Sequence, residues 1–126
     1  MSYIINKTDG TILTTILDGT VDNTTSITLV GRKREQFGEV INENMVKLLE
    51  NGANDTPPNS PLVGELWFDT STNTLKVYTG STFKPISSSF ASNSEPTTNN
   101  IGDLWLDTAN RQLKIYTDAG YALVGP

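Results

Sequence analysis

One seven-residue block occurs twice in this chain. Gly64-Glu65-Leu66-Trp67-Phe68-Asp69-Thr70 returns as Gly102-Asp103-Leu104-Trp105-Leu106-Asp107-Thr108. The register persists beyond the block. Leu75-Lys76-Val77-Tyr78-Thr79 is matched by Leu113-Lys114-Ile115-Tyr116-Thr117, and Phe83 by Tyr121, at a constant offset of 38 residues. A fixed offset over such a length marks an internal duplication. Both tryptophans lie inside it. Small repeated units build by stacking or assembling, because one unit alone cannot bury its apolar face.

Each copy reads as a small three-stranded meander. Glu65 to Phe68 suits a strand, Asp69 to Asn73 is turn chemistry, and Leu75 to Tyr78 is the return strand. Gly80-Ser81-Thr82 turns again before a short strand at Phe83 to Ile86. The second copy repeats this with turns at Asp107 to Asn110 and Asp118 to Gly120. Side chains alternate along a strand. Leu66, Phe68, Leu75 and Val77 therefore share one face, and Trp67, Lys76 and Tyr78 the other. Leu104, Leu106, Leu113 and Ile115 divide in the same way from Trp105, Lys114 and Tyr116. A ribbon of this size is marginal by itself, so both faces need cover, and another copy is the simplest source of it.

Upstream of the repeats, Tyr3 to Asn6 and Thr11 to Leu17 flank Asp9-Gly10, a hairpin signal. Ser26 to Val30 alternates with period two and predicts a further strand, closed by Gly31. Phe37 to Gly52 is the one helical stretch: Val40, Ile41, Met45, Leu48 and Leu49 recur at helical spacing. Glu39 lies in the first turn, Glu43 and Lys47 form an i,i+4 pair, and Asn51-Gly52 is a stop signal. The expected cover for the apolar stripe is the N-terminal strands. The predicted fold is thus mainly β with one helix (α+β). A strand-plus-helix module over 1–53 is followed by a Pro-rich linker at 54–63, a β-meander repeat at 64–86, a linker at 87–101 and a second β-meander repeat at 102–126.

Composition narrows the function. The chain of 126 residues has no histidine and no cysteine, and carries a net charge of −5. The commonest general base is missing, as are thiol nucleophiles and the usual zinc ligands. No Gly-rich phosphate loop stands between a strand and a helix, and an acidic chain is poorly suited to gripping nucleic acid. No apolar run is long enough to span a bilayer, and the N-terminus lacks the features of a signal peptide. The expectation is a non-enzymatic protein made in the cytoplasm, with no cofactor, no metal, no nucleic acid partner and no membrane insertion. Asp69 and Asp107 are not read as a paired-carboxylate acid/base site, since each has a sufficient local reason to open a turn. Two surfaces stand out instead. Trp67, Tyr78, Trp105 and Tyr116 are candidates for a subunit interface or for stacking on a glycan. Arg32, Lys33 and Arg34, the only basic cluster, are a candidate partner contact, the plainer reading being a solvated loop.

The Gly-(Asp/Glu)-Leu-Trp-x-Asp-Thr block followed by Leu-Lys-(Val/Ile)-Tyr resembles a repeat of tail-fibre and baseplate-associated virion structural proteins of contractile-tailed, T4-like bacteriophages. The opening resembles such proteins too, through Ile5-Asn6-Lys7-Thr8-Asp9-Gly10-Thr11, Leu29-Val30-Gly31 and Phe37-Gly38-Glu39-Val40-Ile41-Asn42-Glu43-Asn44. The resemblance implies a virion component attached to the tail or baseplate, homotrimeric if fibre-like, with other virion proteins as partners. It implies no catalytic residues. Two alternatives remain open here: a carbohydrate-binding module that takes a host surface glycan on its exposed Trp and Tyr, and a capsid decoration protein.

Overall fold

The computed structural model describes residues 1–87, 89–97 and 99–125. The protein is mainly β with one helix, and divides into two compact units, Met1–Phe83 and Lys84–Pro126.

The first unit opens with a hairpin of β1 (Ser2–Asn6) and β2 (Ile12–Leu17), paired antiparallel. The Asp9-Gly10 turn forms as expected. The Asp9 carboxylate accepts from the Thr11 backbone N–H at 2.9 Å and from its hydroxyl at 2.6 Å. The next pair, β3 (Val21–Asp22) and β4 (Leu29–Val30), is much shorter than the run Ser26 to Val30 predicted. Asp22 accounts for part of this, because its carboxylate takes the backbone N–H and hydroxyl of Thr24 at 3.0 and 2.6 Å and turns the chain away from a ladder. Gly31 lies against the β2 end so closely that a Cβ would meet the Leu17 carbonyl oxygen at 2.3 Å.

Helix α1 (Phe37–Leu49) ends where Asn51-Gly52 predicted. Asn51 sits at φ 54° and Gly52 at φ 64°. Gly52 N–H reaches the Lys47 carbonyl at 2.8 Å and Asn51 N–H the Leu48 carbonyl at 3.1 Å. That pair of bonds is a Schellman cap. The helix is tethered to the β3–β4 connection through polar groups. Asn44 accepts from Thr28 N–H at 3.1 Å and donates to its carbonyl at 2.6 Å. Lys47 donates to the Ser26 carbonyl in place of the predicted pairing with Glu43. The apolar stripe stays largely uncovered, so the strands cover it less than the sequence predicted: no helical residue is buried, and Phe37, Met45, Leu48 and Leu49 are all more than half exposed.

The first repeat is an antiparallel sheet in the order β5 (Leu66–Asp69), β6 (Thr74–Tyr78), β7 (Phe83–Pro85). The second is a four-stranded sheet in the order β11-β10-β9-β8. Its strands are β8 (Ser89–Ser92), β9 (Leu104–Asp107), β10 (Gln112–Thr117) and β11 (Gly120–Leu123). The meanders match expectation, and one feature extends them. Strand β8 lies inside the segment 87–101 predicted as linker, and pairs parallel with β9, Ser92 opposite Asp107. At the same offset, Asn54 bridges Asp69 in parallel. The segments 55–65 and 93–103 are therefore crossovers within each repeat, near the dozen residues that a parallel connection requires.

The first line of the motif has a backbone reason. Residues 62–65 and 100–103 are equivalent turns, closed by Glu65 N–H on the Leu62 carbonyl and Asp103 N–H on the Asn100 carbonyl, each at 3.0 Å. Gly64 (φ 91°) and Gly102 (φ 98°) occupy the third position, where a type II turn demands positive φ. The acid that follows satisfies its own turn: Glu65 accepts from Leu62 N–H at 3.2 Å and Asp103 from Asn100 N–H at 2.9 Å.

Candidate interaction surface

The alternation along each repeat is as predicted, since Trp67 pairs with Lys76, Leu66 with Val77 and Phe68 with Leu75. The tertiary structure decides which face turns inward, and it is the aromatic one. Trp67 and Trp105 are 6 % and 5 % exposed. Trp67 meets Phe83 edge-on at 5.2 Å between ring centroids, and Tyr78 meets the same ring at 5.1 Å. In the second repeat, Trp105 and Tyr116 both meet Tyr121 at 5.1 Å. The indole N–H of Trp67 donates to the Asn54 carbonyl at 3.2 Å, and that of Trp105 to the Ser92 carbonyl at the same distance. These acceptors belong to the parallel segments, so each Trp joins its crossover to its hairpin.

A charged pair closes each aromatic cluster. Lys76 Nζ stands 4.9 Å from the Trp67 ring centroid and 2.9 Å from Asp69. Lys114 Nζ stands 4.7 Å from the Trp105 ring and 3.2 Å from Asp107. The lysine stem covers the ring while its ammonium joins a cation–π contact to an ion pair. The aspartates also hold the hairpin turns. Asp69 accepts from the hydroxyl and backbone N–H of Ser71 at 2.5 and 3.0 Å, and Asp107 from the Asn110 side chain at 2.8 Å. The Ser71 hydroxyl and then Lys76 hold the Asp69 carboxyl down at about 2. The Asn110 amide and Lys114 lower that of Asp107. Both are fully ionised and partnered, which gives them a structural role.

Of the four candidates for glycan stacking, Trp67, Tyr78, Trp105 and Tyr116, the two tryptophans are buried. Both indoles are consumed as the core of their repeats, and the half-buried Tyr78 and Tyr116 pack against the ring that covers the indole. Neither Trp offers an open face to a sugar.

The aliphatic face is the open one. In the second repeat Leu104 and Leu106 on β9 stand beside Ile115 and Leu113 on β10. Ser89 and Ala91 extend the face on β8, as do Ala122 on β11 and Val124, whose N–H reaches the Leu113 carbonyl at 2.9 Å. Leu104, Leu106 and Leu113 are 36 %, 44 % and 41 % exposed. The same face of the first repeat is better covered: Phe68, Leu75 and Val77 are half-buried. Leu66 there lines a groove of about 370 Å³ with Leu13, Leu29 and Leu48 of the N-terminal module.

The Arg32-Lys33-Arg34 cluster is exposed, with the Arg32 guanidinium 5.2 Å from the Tyr3 ring centroid. Among the described residues, no group of His, Cys, Asp or Glu side chains is arranged to hold a metal ion, and no helix is long and apolar enough to cross a membrane. In comparisons with protein-family models, curated proteins and solved structures, no match to the chain was found.

Proposed function

We propose that this chain is a non-enzymatic virion structural protein of a contractile-tailed bacteriophage, a self-associating module that attaches at the tail fibre or baseplate. One observation carries the self-association. Among the described residues only Ile16, Trp67 and Trp105 are buried hydrophobics, while nineteen large hydrophobic side chains are exposed. Apolar surface left in water at that ratio favours association with a partner. The duplicated block and the resemblance of the repeat and of the opening supply the virion setting. The aspartates of the motif support the reading as well, since their carboxylates are spent on turns and lysines and not directed at a substrate.

Light scattering over a concentration series tests the first half: the chain is expected to be oligomeric, and a monomer at high concentration would refute self-association. Antibody labelling of intact particles tests the second half. Label at the tail or baseplate is expected, whereas label over the capsid lattice would assign the chain to capsid decoration.

A further inference from the structure

We infer that the aliphatic face of the second repeat is the self-association surface, closed by the same face of a second copy. The inference rests on the self-associating reading above and names the surface and the partner. Three observations carry it.

The first is charge. The chain has a net charge of −5, so two copies repel wherever their acidic surfaces meet. The face built from β8, β9, β10 and the end of β11 has no charged residue. Every charged side chain of Lys84–Pro126 lies elsewhere: Asp107 and Lys114 on the opposite face, Lys84 paired with Asp103 at 3.6 Å, and Glu95, Arg111 and Asp118 in connections. An acidic protein therefore has here a neutral patch that can meet itself without repulsion. A cationic partner would find no carboxylate on it.

The second is area. Eight side chains, of which Leu104, Leu106, Leu113 and Val124 are 36 %, 44 %, 41 % and 44 % exposed, carry on the order of 500 Å², within the range of ~300–600 Å² of the largest patch on a monomer. Two such faces would remove about 1,000 Å² together, the area at which a specific interface becomes credible. The face is a regular sheet surface and needs no rearrangement to stack on another sheet about 10 Å away.

The third is internal. On the equivalent face of the first repeat Phe68, Leu75 and Val77 are half-buried, while Leu66, 39 % exposed, lines the groove it shares with leucines of the N-terminal module. A face of this design is used as a packing surface once within the chain. The second repeat offers it again, with Leu104 and Leu113 in the places of Leu66 and Leu75, Leu106 in the place of Phe68 and Ile115 in the place of Val77.

The test uses the full chain. Leu106→Lys and Leu113→Lys place like charges at the centre of the apposed faces, and each is expected to shift the oligomer to monomer by at least tenfold in dissociation constant. Leu49→Lys, at the most exposed of the large apolar side chains of α1, should leave association unchanged. Fluorescence of Trp105, on the opposite face, reports whether the second repeat stays folded. The absence of native cysteine allows a second measurement that does not depend on a destabilising charge. Ala91→Cys, Leu106→Cys and Leu113→Cys carry a single thiol each, and a short thiol-reactive cross-linker should join copies through 106 and 113. Cross-linking of a Leu106→Cys chain to a Leu49→Cys chain in preference to itself would assign the face to the partner's helix and overturn the inference. So would association that survives both lysine variants. In either case the self-associating reading stands, whereas a monomeric unaltered chain removes both.

Discussion

Replacing Trp105 by alanine should unfold the second repeat. A tryptophan buries roughly 150–250 Å², which at ~25 cal/mol per Å² corresponds to about 4–6 kcal/mol of apolar burial. Measured truncations of buried aromatics cost ~3–5 kcal/mol, because the site collapses in part. Here little can collapse, since Trp105 is the only buried hydrophobic residue described in its unit. The variant also strips Lys114 of the ring beneath it, a contact of about 0.5–2 kcal/mol, and leaves the Ser92 hydroxyl and carbonyl without the indole donor. Against this stands the whole stability of Lys84–Pro126. At ~0.05–0.15 kcal/mol per residue, 43 residues supply roughly 2–6 kcal/mol. Loss and total are of equal size, so the unit is expected to be largely unfolded. Amide hydrogen exchange at low protein concentration reads the outcome. Tyr116 N–H, bonded to the Asp103 carbonyl at 2.8 Å, should lose protection. Trp67, the remaining indole, should still report a folded first unit. Trp105→Phe is expected to be intermediate, keeping the contact with Tyr121 while dropping the indole hydrogen bonds. Full protection of Tyr116 in the alanine variant would refute the assignment of Trp105 as the core of its repeat.

Other consequences are simpler. Asp69 titrates at about 2 in the folded chain and near ~3.9 when unfolded, so its contribution is complete above about pH 4 and is lost as pH falls towards 2. The urea midpoint should fall over that window, and Asp69→Asn should flatten the dependence; an unchanged dependence in that variant would count against the Ser71 and Lys76 contacts. Gly102→Ala forces a side chain into φ 98° and should cost at least about 1 kcal/mol by thermal unfolding. Gly38→Ala, in α1 with open space around it, should stabilise the helix by up to ~1 kcal/mol. The contrast checks that the conserved place of Gly64 and Gly102 in the two copies reflects turn geometry.

Much of this protein was legible in the residues because much of it is local. The Asp9-Gly10 hairpin, the Asn51-Gly52 helix stop and the Asp69 and Asp107 turns each depend on bonds spanning a few residues, and each formed where the sequence placed it. The partition of leucines from tryptophans was likewise fixed by strand alternation. Three things were not legible. The strand predicted over Ser26 to Val30 shrank to Leu29–Val30, since Asp22 and Asn44 take backbone groups that a ladder would need. The parallel pairings of Asn54 with Asp69 and of Ser92 with Asp107, which start within the segments predicted as linkers, join residues 15 apart. And alternation says that two faces differ without saying which is inside. That choice fell to the tertiary structure. Phe83 and Tyr121 return over the indoles from a third strand, and Lys76 and Lys114 close them from the strand between. The sequence by itself determined a duplicated unit with an aromatic and an aliphatic side. Only long-range packing made the aromatic side a core and left the aliphatic side of the second repeat in water, because burial is settled by which distant residues arrive to cover a face.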